Sequence, residues 1–179
     1  MGFLSYEQDS AQGTAQRHAQ HPIGGGRRGR RLAFISHMKE LYCPRNSGLS
    51  VKVEPGDGGS PGNVITHAIR AHKNKDYDRR LFLLDADLPP SDAERKRAAA
   101  AGYEIILWQP QCLEGALLET LGEPVRGHET SRQLKARLHP RLAGRHTDAA
   151  AYAVPFPRPV LDATGNLSIV SLRTALLSP

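Results

Sequence analysis

A chain of 179 residues, 39% of them hydrophobic, with a formal net charge of +6, is long enough for one domain with its own core. It carries no apolar run near the ~18 residues of a membrane span. Its N-terminus also lacks the apolar stretch of a secretory signal. The composition therefore predicts a cytoplasmic protein without a membrane partner. The positive balance permits a polyanionic partner without requiring one. The two cysteines, Cys43 and Cys112, are too far apart for a CxxC or Cys/His ligand spacing and read as free thiols in a reducing compartment.

Met1 to Arg31 is rich in Gln, Gly, His and Arg and has almost no apolar periodicity. Gly24-Gly25-Gly26 followed by Arg27, Arg28, Arg30 and Arg31 reads as a flexible basic arm, solvated or touching phosphates. A phosphate-cradling glycine loop is rejected, because no strand is read before it. From Leu32 the pattern changes. Leu32, Phe34, Ile35, Met38, Leu41 and Tyr42 recur at helical spacing and predict a helix from about Arg31 to Cys43, stopped by Pro44. Arg45 to Gly48 is a turn, and Leu49 to Glu54 alternates like a strand with one buried face. A glycine-rich loop over Pro55–Gly62 follows. Asn63, or Ser60 with Pro61 at the first helical position, caps the next helix. Val64, Ile65, Ala68, Ile69 and His72 mark the buried face of that helix. His67 and His72 are read as residues at the helix surface rather than as ligands.

Leu81 to Leu84 is a short apolar run leading into Asp85-Ala86-Asp87, the pattern of a strand buried on both faces. Alternation puts Asp85 and Asp87 on one face before the turn at Pro89-Pro90. Two carboxylates at the carboxyl end of a buried strand suit a hard cation; alternatively one caps the next helix and the other is solvated. Ser91 with Glu94 forms a capping-box pattern, and the helix runs to about Ala101, stopped by Gly102. Tyr103 to Trp108 is the next strand. Strand, helix, strand, helix, strand predicts a mostly parallel sheet covered by helices. After Pro110, Cys112, Leu113, Ala116, Leu117 and Leu121 mark a helix face with Glu114 in its first turn. Glu114 either faces the same crevice as the aspartates or complements its helix dipole. Further on, Ser131 to Leu138 is a basic helix. Its Arg132, Lys135 and Arg137 are the candidate phosphate contacts, with Arg141 and Arg145 nearby, unless that charge is a solvated face. Ala149 to Pro159 reads as an extended cover, and Ile169 to Leu177 as a short amphipathic helix.

The succession AFISHMKELY, VKVEPGDGGSPGNVITHAI, YDRRLFLLDAD and GYEIILWQPQCLEGALLETLG resembles the RloB-like families of Toprim-related proteins, which belong to bacterial and phage defence or restriction loci. The similarity covers roughly residues 32–122. It implies a Toprim-like α/β domain over residues 32–179 behind the basic arm of residues 1–31. Mg²⁺ is the cofactor it implies, with Asp85 and Asp87 as the family's DxD pair and Glu114 as the acid of its later element. The family's first acidic element falls where this chain reads GGGRRGRR. Either that acid has been lost, or the first 31 residues do not represent the natural reading of the region.

Three functions follow. One is a Mg²⁺-dependent nuclease or phosphoryl-transfer domain of a defence system, with Asp85, Asp87 and Glu114 at the metal, Asp85 and Glu114 assisting catalysis, and nucleic acid as substrate. Another is a non-catalytic accessory protein that binds nucleic acid or a defence-system partner subunit. The third is a haloacid-dehalogenase-like phosphatase, whose motif also opens on a strand with DxD, although Leu88-Pro89 follows here.

Overall fold

The computed structural model describes residues 2–8, 29–44, 49–56, 59–75 and 77–177. Four strands, β1 (Gly2–Gln8), β2 (Leu49–Pro55), β3 (Arg79–Asp85) and β4 (Tyr103–Trp108), form one sheet in the order β2-β1-β3-β4. The helices are α1 (Gly29–Tyr42), α2 (Pro61–Ala71), α3 (Asp92–Ala100), α4 (Leu113–Thr120), α5 (Ser131–Leu138), α6 (Arg158–Ala163) and α7 (Leu167–Leu177).

β3 and β4 pair in parallel, from Arg80 opposite Tyr103 to Asp85 opposite Trp108. β1 lies between β2 and β3 and runs antiparallel to both. The three strands read from sequence therefore point the same way, and an unforeseen fourth is inserted against them. The expectation of a mostly parallel sheet is corrected accordingly to a mixed one. Two of its pairings are antiparallel and one is parallel among the described residues.

The basic-arm reading of residues 1–31 is likewise corrected at both ends. Gly2–Gln8 is an inner strand and Gly29–Arg31 is the first turn of α1. Phe3, Leu4 and Tyr6 are strand-favouring residues, and Leu4 is fully buried. Composition averaged over 31 residues hid that short run. Gly24–Gly26, Arg27 and Arg28 of the arm, the Arg45–Gly48 turn and Asp57-Gly58 of the glycine-rich loop lie outside the described residues.

Alternation along β3 divides the core. Leu81 and Leu83 enter the larger cluster with Phe34, Trp108, Leu117 and Leu172, so α1, α4 and α7 cover that face. Phe82 and Leu84 pack on the other face with Val64, Ile65 and Ala98 of α2 and α3. Each such aliphatic or aromatic side chain contributes about 1.5–3 kcal/mol by leaving water. The caps follow the sequence. Ser60 accepts from the Asn63 amide at 3.4 Å, with Pro61 opening α2. Ser91 and Glu94 exchange bonds of 3.3 and 2.7 Å around the start of α3. Gly102, at φ +75°, takes the left-handed conformation that ends it.

Residues 149–159 are not an extended cover. Asp148 accepts from the Ala150 amide at 3.1 Å and caps a 3-10 turn over Ala149–Tyr152, and α6 begins at Arg158. The segment does cover α1: Tyr152 and Phe156 meet the Phe34 ring edge-on at 5.6 and 5.9 Å. No described helix is long and apolar enough to cross a membrane.

Candidate functional site: an acidic carboxyl edge

Asp85 is the last residue of β3 and is only 8% exposed. Its parity matches Leu81 and Leu83, so it belongs to the face covered by α1, α4 and α7. Asp87 does not share that strand face, contrary to the expectation from alternation along the strand. The strand ends at Asp85, and the chain turns because the Ala86 amide donates to Trp108 O (3.3 Å) and the Asp87 amide to Gln111 O (2.8 Å). This draws Asp87 onto the loop after β4, where it is exposed.

Glu114 sits in the first turn of α4 and is 6% exposed. The loop before it folds back sharply: the Cys112 amide donates to Pro110 O at 2.7 Å, and Gln111 has φ +64°. Gly115 makes this possible, because a Cβ there would lie 2.2 Å from Pro110 O. The Cys112 thiol, 1% exposed, interacts with the side chains of Glu114 and Ser131. Burial first, and then the Glu114 carboxylate, push its pKa up, so it remains a neutral thiol. Ser131, the first residue of α5, donates to Asp87 Oδ2 at 2.7 Å.

Asp87, Ser131, Cys112 and Glu114 therefore form one contiguous polar cluster beside the end of β3. Ser131 and Cys112 were not foreseen as part of it. Cys112 could have been suspected from its place just before the predicted first turn of α4. Ser131 carries no sequence signal beyond a helix start, since its link to Asp87 spans 44 residues.

Glu114 Oε2 is buried and has no hydrogen-bond partner among the described residues. A carboxylate oxygen held out of water without a donor is costly, so this oxygen is suited to receive a cation or donor. Among the described residues, no group of three or more His, Cys, Asp and Glu side chains is arranged to hold a metal ion. The donor chemistry nevertheless fits Mg²⁺, which accepts hard oxygens and is commonly held through one or two carboxylates plus waters and phosphates.

The candidate basic residues separate. Arg137 is engaged within the α4–α5 connection. Its Nη1 bonds Glu129 at 2.7 and 2.9 Å, and its Nη2 bonds Glu123 at 3.2 Å and Pro124 O at 3.0 Å. Glu129, in turn, is held below its ordinary pKa by the Arg126 amide and by Arg137. Arg132 is exposed and Lys135 is half-buried on α5. Nearby, the Gln111 side-chain amide donates to the carbonyls of Arg126 (3.4 Å) and Gly127 (3.3 Å). That ties the connection carrying exposed Arg126 and His128 to the acidic edge.

His72 is not at the surface. It is 3% exposed, and its Nε2 donates to Glu54 at 2.8 Å. Burial lowers its pKa, and the opposing pull of the Glu54 carboxylate does not overcome this. With Glu54, His67 and Lys75 it lines a cavity of about 300 Å³.

Fold and site together define an α/β open-sheet protein with buried carboxylates at the carboxyl edge of two parallel strands. Comparison with protein-family models, with characterised proteins and with solved structures finds no significant match to this chain.

Proposed function

We propose that the acidic edge is a Mg²⁺-dependent phosphoryl-transfer site, and that the chain is a Toprim-like nuclease of the RloB type acting in a defence or restriction system. The supporting observation is the burial of Asp85 at the carboxyl end of β3 and of Glu114 in the first turn of the helix that follows β4, with Glu114 Oε2 left without a donor among the described residues. One or two of the carboxylates of Asp85, Asp87 and Glu114, with waters completing the shell, would hold the cation. When bound, the cation supplies neutralisation of charge on the oxygens of a phosphoryl group. Exposed Arg132, with Lys135, contacts the phosphate backbone, while Arg137 keeps its wall in shape.

A second reading is favoured by one observation. β1 runs antiparallel, so Gly2 sits opposite Leu83 and Pro55 at the acidic edge, while Glu7 lies at the opposite end of the strand, opposite Ser50. The central strand thus brings no acid to the site, which suits an accessory protein that binds nucleic acid or a partner subunit without cleaving.

Titration with Mg²⁺ and Mn²⁺ by calorimetry, alongside cleavage of plasmid DNA and structured RNA, decides between the two. Metal-dependent cleavage, lost in Asp85→Asn and Asp87→Asn, supports the nuclease. Nucleic-acid binding without metal binding or cleavage supports the accessory role.

A further inference from the structure

We propose that Ser131 is a positioning residue for Asp87: its hydroxyl holds one carboxylate oxygen and leaves the other aimed for a divalent cation. This rests on the metal-site reading above. Asp87 lies outside the strand on an exposed turn, where an aspartate side chain is free to rotate. The bond from Ser131 Oγ to Oδ2, at 2.7 Å, is the side-chain tie that fixes it to α5. The tie belongs to a braced frame. The Asp87 amide is held by Gln111 O (2.8 Å), and the Gln111 side chain is held by Arg126 O and Gly127 O. The Arg126 amide in turn donates to Glu129 Oε2 at 2.7 Å. Three connections, β3–α3, β4–α4 and α4–α5, are thus cross-linked around one carboxylate. Metal-ligating carboxylates are supported in this way by outer hydrogen bonds, and removing such a bond typically costs 10–100-fold in metal affinity.

Ser131 can be changed without removing the helix cap. Thr130, not Ser131, is the N-cap of α5, and its capping box with Gln133 remains. Calorimetric titration of Mn²⁺ into the full chain, the Ser131→Ala variant and the Ser131→Thr variant tests the proposal, with thermal midpoints recorded in parallel. The expected result is a loss of affinity of about tenfold or more in Ser131→Ala, recovery in Ser131→Thr, and midpoints close to the parent's. Equal affinity in all three proteins overturns the positioning role while leaving the metal site standing. Tighter binding in Ser131→Ala also overturns it, because Ser131 then competes with the cation. If the parent itself binds no Mn²⁺, the metal-site reading fails and this role falls with it.

Discussion

Replacing Gly115 by alanine sets two effects of known sign against each other. In a helix, glycine is disfavoured relative to alanine by about 1 kcal/mol, because it loses more backbone freedom on folding. Propensity alone therefore predicts stabilisation. The structure predicts the reverse. A Cβ at residue 115 would stand 2.2 Å from Pro110 O and 3.3 Å from Pro110 C, whereas its 3.5 Å approach to Leu134 is ordinary contact. Carbon–oxygen contacts settle near about 3.3–3.6 Å, so the Pro110 carbonyl must retreat by roughly 1 Å. It is backbone and cannot swing aside as a side-chain tip can. Overpacking of this kind costs about 1–3 kcal/mol. Losing the 2.7 Å bond from the Cys112 amide to the same carbonyl adds about 1 kcal/mol. After the gain in propensity, a net destabilisation of about 1–3 kcal/mol remains. Urea unfolding followed by fluorescence reads it directly, because Trp108 is the chain's one tryptophan and lies buried two residues before Pro110. An unfolding midpoint at or above the parent's would refute the argument that this loop is closed tightly onto α4.

Four further outcomes are expected. Phe34→Ala removes a fully buried ring that meets Trp108, Tyr152 and Phe156 at 6.2, 5.6 and 5.9 Å, and should cost about 3–5 kcal/mol in urea unfolding. For His72, the folded pKa lies below the unfolded value of about 6.5, so the unfolded chain binds the proton first. Its contribution is present above that pH and is lost as pH falls through the window below it; His72→Gln should flatten the stability profile there, and a profile identical to the parent's would contradict the burial effect. If nucleic acid binds, Arg132→Ala should reduce the logarithmic salt slope of binding by about 1. Arg137→Ala should instead raise protease cleavage between residues 123 and 131, because its guanidinium braces Glu123, Glu129 and Pro124.

Local signals in the sequence carried much of the architecture. Ser60-Pro61, Ser91 with Glu94, and Gly102 each mark a helix end through the bond or dihedral they permit, and each does so in the structure. The apolar runs at 81–84 and 103–108 are strands because both faces of the sheet are covered there. What failed was non-local. Nothing near Phe3-Leu4 says that this short run pairs with residues some fifty and eighty positions away, and its direction depends on those partners. His72 is buried, as the helical spacing of Val64, Ile65, Ala68 and Ile69 had it, but its bond to Glu54 on another element is something that spacing does not encode. At the site, Asp85 and Glu114 were legible as acids at strand and helix ends. That Asp87 leaves the strand plane for Ser131 follows from the Gln111 carbonyl that receives its amide.

The position of β1 has a consequence for how the molecule is made. β2 and β3 do not touch each other in the sheet; each is bonded to β1. Of the four described strands, the one translated before the other three is thus an inner one, and its two sheet partners are both translated much later. Until then Gly2–Gln8 is an open pairing edge in a nascent chain, and a chaperone or a second copy has the longest opportunity to capture it there.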